Sequence, residues 1–330
     1  MLTLLLATTP ALATGYGDVD EDGYPSWAER DLHLWTNAAR VDPEAFEADY
    51  QQGGCSFDDF SSDEQTAKAP LYYDRNLNLA ARYHTDDMYS NDWFDHDSSD
   101  GTSFSERMAN FYPDSGTVGE NIAYGYPDTY IVIMQGWMCS TAGHRANIMG
   151  DYNELGVGVV STYYTQDFGT GTLDVDSPVA MGSHQPAEPS TTVTFYADWQ
   201  NSEPPELLEV VYNGDNTALD VVWGADIQGV YGVELDVDGG DCHEYYFNWE
   251  RSDGTDGTFP EVGSYLFGSG CDEPLMWVDS QGGGGSGGDD FADSLDIKLV
   301  GCSALPAPRG TPGAALLLLG ALLLRRRRRS

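Results

Sequence analysis

The chain has 330 residues, with 54 Asp and Glu against 15 Lys and Arg, a formal net charge of −39, and 41% hydrophobic and 12% aromatic residues. That apolar content excludes a disordered polymer, and the length suits about two domains, since one core seldom grows past roughly 250–300 residues. The acidity excludes a nucleic-acid partner, because phosphate neutralisation by Lys and Arg supplies most of that affinity; it suits solubility in a salty exterior or attraction of cations.

Residues 1–13, MLTLLLATTPALA, carry a short apolar stretch closed by Ala11-Leu12-Ala13, the small-residue pattern of a secretory signal, although no Lys or Arg precedes it. In residues 18–29, Asp18, Asp20, Asp22, Gly23 and Glu29 then occupy positions one, three, five, six and twelve of a calcium loop, with Tyr24 offering a backbone carbonyl and Ser26 at position nine. The competing reading is an acidic leader that caps a helix. Trp27 to Arg40 is amphipathic and stops at Asp42-Pro43, where proline disfavours continuation. A second helix follows Asp74; Leu77, Ala80, Ala81, His84 and Met88 share one face by their spacing, which makes His84 a core histidine.

Ser103-Phe104-Ser105-Glu106 is a capping box. Tyr130 to Met138 reads as a further helix, and Ser140 or Thr141 is expected to cap the one carrying Gly143 to Met149, with His144 in its first turn. Leu155 to Val160 and Tyr163 to Phe168 have strand composition, joined tightly at Ser161-Thr162. A hairpin packed against helices predicts an α+β sandwich.

The second half changes character near Ser183. Val193, Phe195, Ala197 and Trp199 alternate with polar neighbours, as do Leu208, Val210 and Tyr212; Leu219, Val221 and Trp223; Tyr231, Val233, Leu235 and Val237; and His243, Tyr245, Phe247 and Trp249. Short strands with turns at Asn213-Gly214-Asp215-Asn216 and Asp238-Gly239-Gly240-Asp241 predict an all-β sandwich over 190–280, loosely similar to immunoglobulin-like modules. A Gly-rich linker occupies 281–290. The segment 301–330 joins Gly301-Cys302-Ser303, a Pro-rich spacer, an eleven-residue apolar run from Ala314 to Leu324, and Arg325 to Arg329. That run is too short to span a bilayer, which needs roughly 20 residues. The tail resembles the MYXO-CTERM sorting signals, a likeness that implies processing and lipid attachment at Cys302, so that the membrane is met only through this anchor; a membrane-tethered tail or a plain degenerate terminus is the alternative. The other four cysteines fall two to a half, and one bridge in each, Cys55–Cys139 and Cys242–Cys271, is the economical pairing in an oxidising compartment.

Asn37-x-x-Arg40, Phe94-Asp95-His96, Gly119-Glu120-Asn121, Trp137-x-x-Ser140-x-x-Gly143-His144-Arg145-x-Asn147-Ile148 and Tyr164-Thr165-Gln166 follow one another in the order seen in the CAP superfamily, which takes in cysteine-rich secretory, antigen 5 and pathogenesis-related proteins. The chain resembles that family's bacterial branch over residues 30–170. The resemblance implies a three-layer α-β-α sandwich whose cleft holds two His and two Glu. His96 matches the first His and Glu120 the first Glu, whereas Ser140 and Tyr163 stand where the second Glu and second His are expected. His144 is the candidate replacement, giving a cleft of His96, Glu120 and His144 flanked by Asn121, Tyr163 and Ser140 as ligand contacts.

Two neutral imidazoles and a carboxylate suit zinc or another divalent metal with an open position for water, or, without metal, an acid/base pair. No GxSxG elbow presents Ser103, Ser140 or Thr141 as a nucleophile. The favoured expectation is a secreted, surface-anchored protein of the bacterial outer membrane, a monomer binding an extracellular or apolar ligand, of the lipid or sterol class, in or beside the cleft, with calcium in its N-terminal loop. A metal-dependent peptidase or esterase using the same cleft, and a structural adhesin, stand as alternatives.

Overall fold

In the computed structural model, which describes residues 25–113, 116–171, 176–187, 191–238, 240–261 and 263–268, the first element is helix α1 (Trp27–Val41). The signal-like leader, Asp18 to Tyr24, Cys271, the Gly-rich linker and the 301–330 tail lie outside the described residues. Ser26 and Glu29 close a reciprocal capping box at the start of α1, and the helix ends at Asp42, ahead of Pro43. Helix α2 (Glu47–Gly53), strand β1 (Tyr72–Tyr73) and helix α3 (Arg75–Ser90) follow, the last capped by Asp74. Helix α4 (Phe104–Phe111) carries the expected Ser103–Glu106 capping box.

Strand β2 (Val118–Tyr124) leads to α5 (Thr129–Ile131), which runs on as a π-helical turn over Val132–Trp137. Helix α6 (His144–Ile148) differs from expectation at its start: Gly143, at φ 106°, is the N-cap with no side-chain cap. Ser140 turns instead to His144. The hairpin β3 (Glu154–Val160) and β4 (Tyr163–Gly169) completes the sheet β1-β3-β4-β2, in which only β1–β3 is parallel.

This sheet is covered on both faces. Gly156 and Gly158 face α3 so closely that an added Cβ would sit 2.0 Å from the Asn78 nitrogen at the first and 2.6 Å from the Ala81 carbonyl at the second. Through the register Gly156–Asp167–Glu120 and Gly158–Thr165–Ile122, the same face carries Glu120 and Asp167. The opposite face meets α1, where Gln166 donates to Thr36 Oγ1 at 2.6 Å. The α-β-α layering is therefore present, and Cys55 and Cys139 are bridged with Cα atoms 5.4 Å apart. Cys242–Cys271 falls partly outside the described residues.

Two further sheets follow. Strands β5 (Val179–Gln185), β6 (Thr192–Gln200), β7 (Leu207–Tyr212), β8 (Asp215–Ala218), β9 (Asp220–Ala225), β10 (Gln228–Asp236), β11 (His243–Glu250), β12 (Asp256–Phe259) and β13 (Tyr265–Phe267) form the orders β5-β6-β10-β9 and β12-β11-β7-β8, with β13 on β11. Phe195, Ala197 and Trp199 meet Tyr245, Phe247 and Trp249 in a second core. The alternation read at Leu219, Val221 and Trp223 gives a different strand from the one expected: β9 is an edge, and Val221 and Val222 are exposed. The β5-β6-β10-β9 sheet packs on α1, so that helix lies between two sheets. Asn37 donates to Asp198 Oδ2 across that contact at 2.6 Å. Among the described residues no helix is long and apolar enough to cross a membrane.

Candidate functional site

Glu120 sits on β2 with its side chain 1% exposed, a position that a carboxylate occupies only with partners. Arg107, equally buried on α4, supplies one: its guanidinium donates to Glu120 Oε2 at 2.5 Å, and also to the His96 carbonyl and Ser98 Oγ. The second is His96, whose Nδ1 donates to Glu120 Oε1 at 2.7 Å. The capping box that starts α4 thus places Arg107 where it holds both the carboxylate and the backbone of the loop carrying His96. His96 keeps a 51% exposed side chain, so its ring stands at the surface on a buried anionic post.

Two residues that sequence reasoning did not select complete the post. Asp167 is fully buried on β4 and pairs with Glu120 in the strand register. Neither of its carboxyl oxygens has a hydrogen-bond partner among the described residues. Burial and then the Glu120 charge push its carboxyl well above the usual range, against the opposing pull of Arg107. His84 on α3 is the core histidine expected: its Nε2 donates to the Asp95 carbonyl at 2.9 Å. It also comes within 4.0 Å of Glu120 Oε2, and burial holds its imidazole below the usual value. His96 shifts the other way, raised first by its bond to Glu120. Arg107 carries a sequence signal only in hindsight, a lone basic residue in the turn after a capping box; Asp167 becomes visible only through the β2–β4 register.

The remaining expected residues divide. His144 bonds Ser140 Oγ through Nδ1 at 2.9 Å and is lowered by burial and by the nearby His96 charge, so it borders the site without bonding Glu120. Asn121 is fully buried, donating to the His144 carbonyl and Gln166 Oε1 and accepting from Asn147, which spends its amide inside the fold rather than on a ligand. Tyr163 packs on Tyr124 at 4.5 Å between ring centroids, and Tyr124 lies near Phe94 at 6.3 Å. Phe94, Tyr124 and Tyr89 are 45%, 56% and 50% exposed, an aromatic ledge beginning two residues from His96.

Among the described residues no three His, Cys, Asp or Glu side chains are grouped to hold a metal. Of the calcium positions, Ser26 and Glu29 are described. Glu29 accepts from the Ser26 amide and from Arg82, using both carboxylate oxygens.

Residues 36–173 match the cysteine-rich secretory protein (CAP) family. Two relatives from Bacillus subtilis align with the chain: the uncharacterized membrane protein YlbC, 38% identical over 30% of this chain and 29% of that protein, and the uncharacterized protein YkwD, 36% identical over 30% and 39%. The chain spans well under half the length of either. Among solved structures, an extracellular protein containing a SCP domain from Bacillus anthracis is 35% identical over 30% of this chain and 33% of that one, with a TM-score of 0.28. A cysteine-rich secretory protein from Staphylococcus aureus is 18% identical over 39% of each chain, with a TM-score of 0.26.

Proposed function

Residues 36–173 form a CAP domain, and we propose that it serves outside the cell as a binding module for an amphipathic ligand whose polar head meets His96. The observation that carries this reading is the exposed His96 ring held on the buried Glu120–Arg107 pair beside an exposed aromatic ledge. Glu120 and Tyr124 lie four residues apart on one face of β2, about 13 Å at strand spacing. That distance suits a ligand with an acceptor group at one end and an apolar or ring body along Tyr124, Tyr163 and Phe94, as the lipid or sterol class has. The bridge Cys55–Cys139 and the signal-like leader favour an oxidising exterior. The resemblance of the tail to sorting signals favours retention at the surface through Cys302.

A hydrolase is the second reading, favoured by the Ser140 Oγ–His144 Nδ1 contact, which pairs a hydroxyl with an imidazole held below its usual value. The two readings separate in one set of variants. Displacement of a fluorescent fatty acid and of a fluorescent sterol from the full chain is expected to weaken in Phe94→Ala and Tyr124→Ala, both surface changes, and in His96→Ala. Unchanged affinity in all three refutes the binding reading. Ester or peptide turnover that disappears in Ser140→Ala and His144→Ala establishes the hydrolase.

A further inference from the structure

On the face of the first sheet opposite to Glu120, α1, the α5 turn and the β3–β4 hairpin line an open cleft of about 710 Å³, within the range of small-molecule sites. Its walls are aromatic: Trp27, Trp35, Phe46, Tyr130, Tyr164 and Trp223. Trp35 is central to them, with ring centroids 4.7 Å from Tyr130 and 5.6 Å from Trp223. The polar floor is Asp31, buried to 2% exposure, which accepts hydrogen bonds from Thr129 Oγ1 and Gln185 Nε2 on two other elements lining the same space. Each carboxylate oxygen so used retains acceptor capacity. Asp128 stands at the rim, and none of the lining residues is basic. Arg30, next to Asp31 in sequence, turns its guanidinium over the Tyr265 ring at 4.3 Å.

We propose that this cavity binds a small organic cation of the quaternary-ammonium class. Aromatic faces present negative quadrupoles to a cation lying in the cleft, and a buried carboxylate with no basic neighbour in the wall completes its neutralisation. The same charge pattern rejects a fatty-acid carboxylate, which would face Asp31 and Asp128 with no basic lining residue to offset them. It likewise rejects a phosphate-bearing headgroup, so the occupant is a free cation rather than part of a lipid. The site lies across the sheet from His96 and stands independently of the reading given for that residue.

Asp31 also makes binding pH-dependent. The groups that face it are Trp35 on its own helix, Thr129 and Asp128 on the α5 segment, Gln185 on β5 and Tyr196 on β6. Burial, with a small addition from Asp128, raises its carboxyl to about 7. Protonated Asp31 offers no charge to a cation, so affinity rises as pH increases from 6 to 8.

The test is titration of the full chain with choline and with tetramethylammonium, followed by tryptophan fluorescence and calorimetry. The control is 3,3-dimethyl-1-butanol, the neutral isostere of choline. Saturable binding of both cations is expected, with the isostere weaker by about tenfold or more. Asp31→Asn is expected to weaken choline by about tenfold while leaving that of the isostere unchanged, and Tyr130→Leu to weaken choline with the carboxylate intact. The wild-type pH profile reads the same carboxylate should Asp31→Asn fail to fold. Equal affinity for choline and its isostere overturns the proposal, as does a choline affinity flat from pH 6 to 8. Preferential binding of a neutral disaccharide also overturns it, assigning the rings to sugar stacking. Co-sedimentation with phosphatidylcholine vesicles that free choline displaces overturns the restriction to a free cation.

Discussion

Replacing Arg107 by Met removes the guanidinium bonded to Glu120 and leaves two carboxyls, Glu120 and Asp167, facing each other inside the sheet. Breaking a buried ion pair by deleting one partner costs about 3–5 kcal/mol, because the surviving charge stays desolvated. At about 2–4 °C per kcal/mol for a unit of this size, thermal unfolding by circular dichroism should drop by about 6–20 °C at pH 8. The pH dependence separates this cause from lost packing. Arg107 is the one influence that lowers Asp167, so its removal drives that carboxyl further up. A carboxyl raised in the folded state contributes stability that is fully present below its unfolded pKa and is lost as pH rises through the folded one. The deficit of Arg107→Met should therefore grow as pH rises past the point at which Asp167 ionises in the folded wild type. Adding Glu120→Gln to Arg107→Met should recover part of the loss, since it removes the unpaired anion. A deficit below about 1 kcal/mol would refute the electrostatic account of the post.

Glu120→Gln alone should lower the His96 pKa, because the bond to Glu120 is the largest influence raising it; the ring-proton titration by NMR reads this, and an unshifted curve contradicts the His96–Glu120 contact. Asp31 and Asp198, raised by burial to about 7 and about 8, contribute stability that is full below the unfolded value and is lost as pH rises through those folded values. Stability should accordingly fall by about 2–3 kcal/mol between pH 6.5 and 8 in urea titrations, and the slope should flatten in Asp198→Asn. Below pH 6.5 His33, lowered by burial to about 4, opposes that trend, since a lowered histidine loses its contribution as pH falls. Cys55→Ser opens a bridge between residues 84 apart and should cost about 2–5 kcal/mol, matched by treating the wild type with reductant; equal melting temperatures with and without reductant would show the bridge to be energetically idle.

Local rules read well from the sequence. The Ser103 box, the stop at Asp42-Pro43 and the β3–β4 hairpin depend on neighbours within a few residues, and each appears where its residues predict; Ser26, read as a calcium-loop position, closes a capping box with Glu29. His96 and Glu120 meet, as the ordered motifs imply. What escaped depends on register and on layers. Asp167 is one polar residue in a strand until the β2–β4 ladder sets it opposite Glu120. Asn121 and Glu120 are adjacent in sequence but point to opposite faces, so one is spent on Gln166 and His144 while the other carries the site. Val221 and Trp223 have the period of a half-buried strand, yet β9 has a neighbour on one side only, and Trp223 alone finds a partner surface, on Tyr196 and Trp35.

Helix α1 shows why a hydrophobic pattern under-reports such a fold. Its periodicity announces one apolar face, whereas Glu29, Arg30, Asp31, His33, Thr36, Asn37 and Arg40 are all buried as well. Each polar side chain is matched to a particular element: Thr36 to Gln166 on the first sheet, Asn37 to Asp198 on the second, Arg40 to the carbonyls of Ile148 and Gly150, Arg30 to the Tyr265 ring. A buried polar group costs free energy unless it is bonded, so these matches tie the helix to one placement on both sheets. The β5-β6-β10-β9 sheet is in consequence a wall of the structure that contains the CAP segment, contributing Gln185 and Trp223 to the cavity floored by Asp31. Removing that sheet would expose Asp31 and Asn37 along with Trp35, and the cation site would disappear with it even if the His96 post survived.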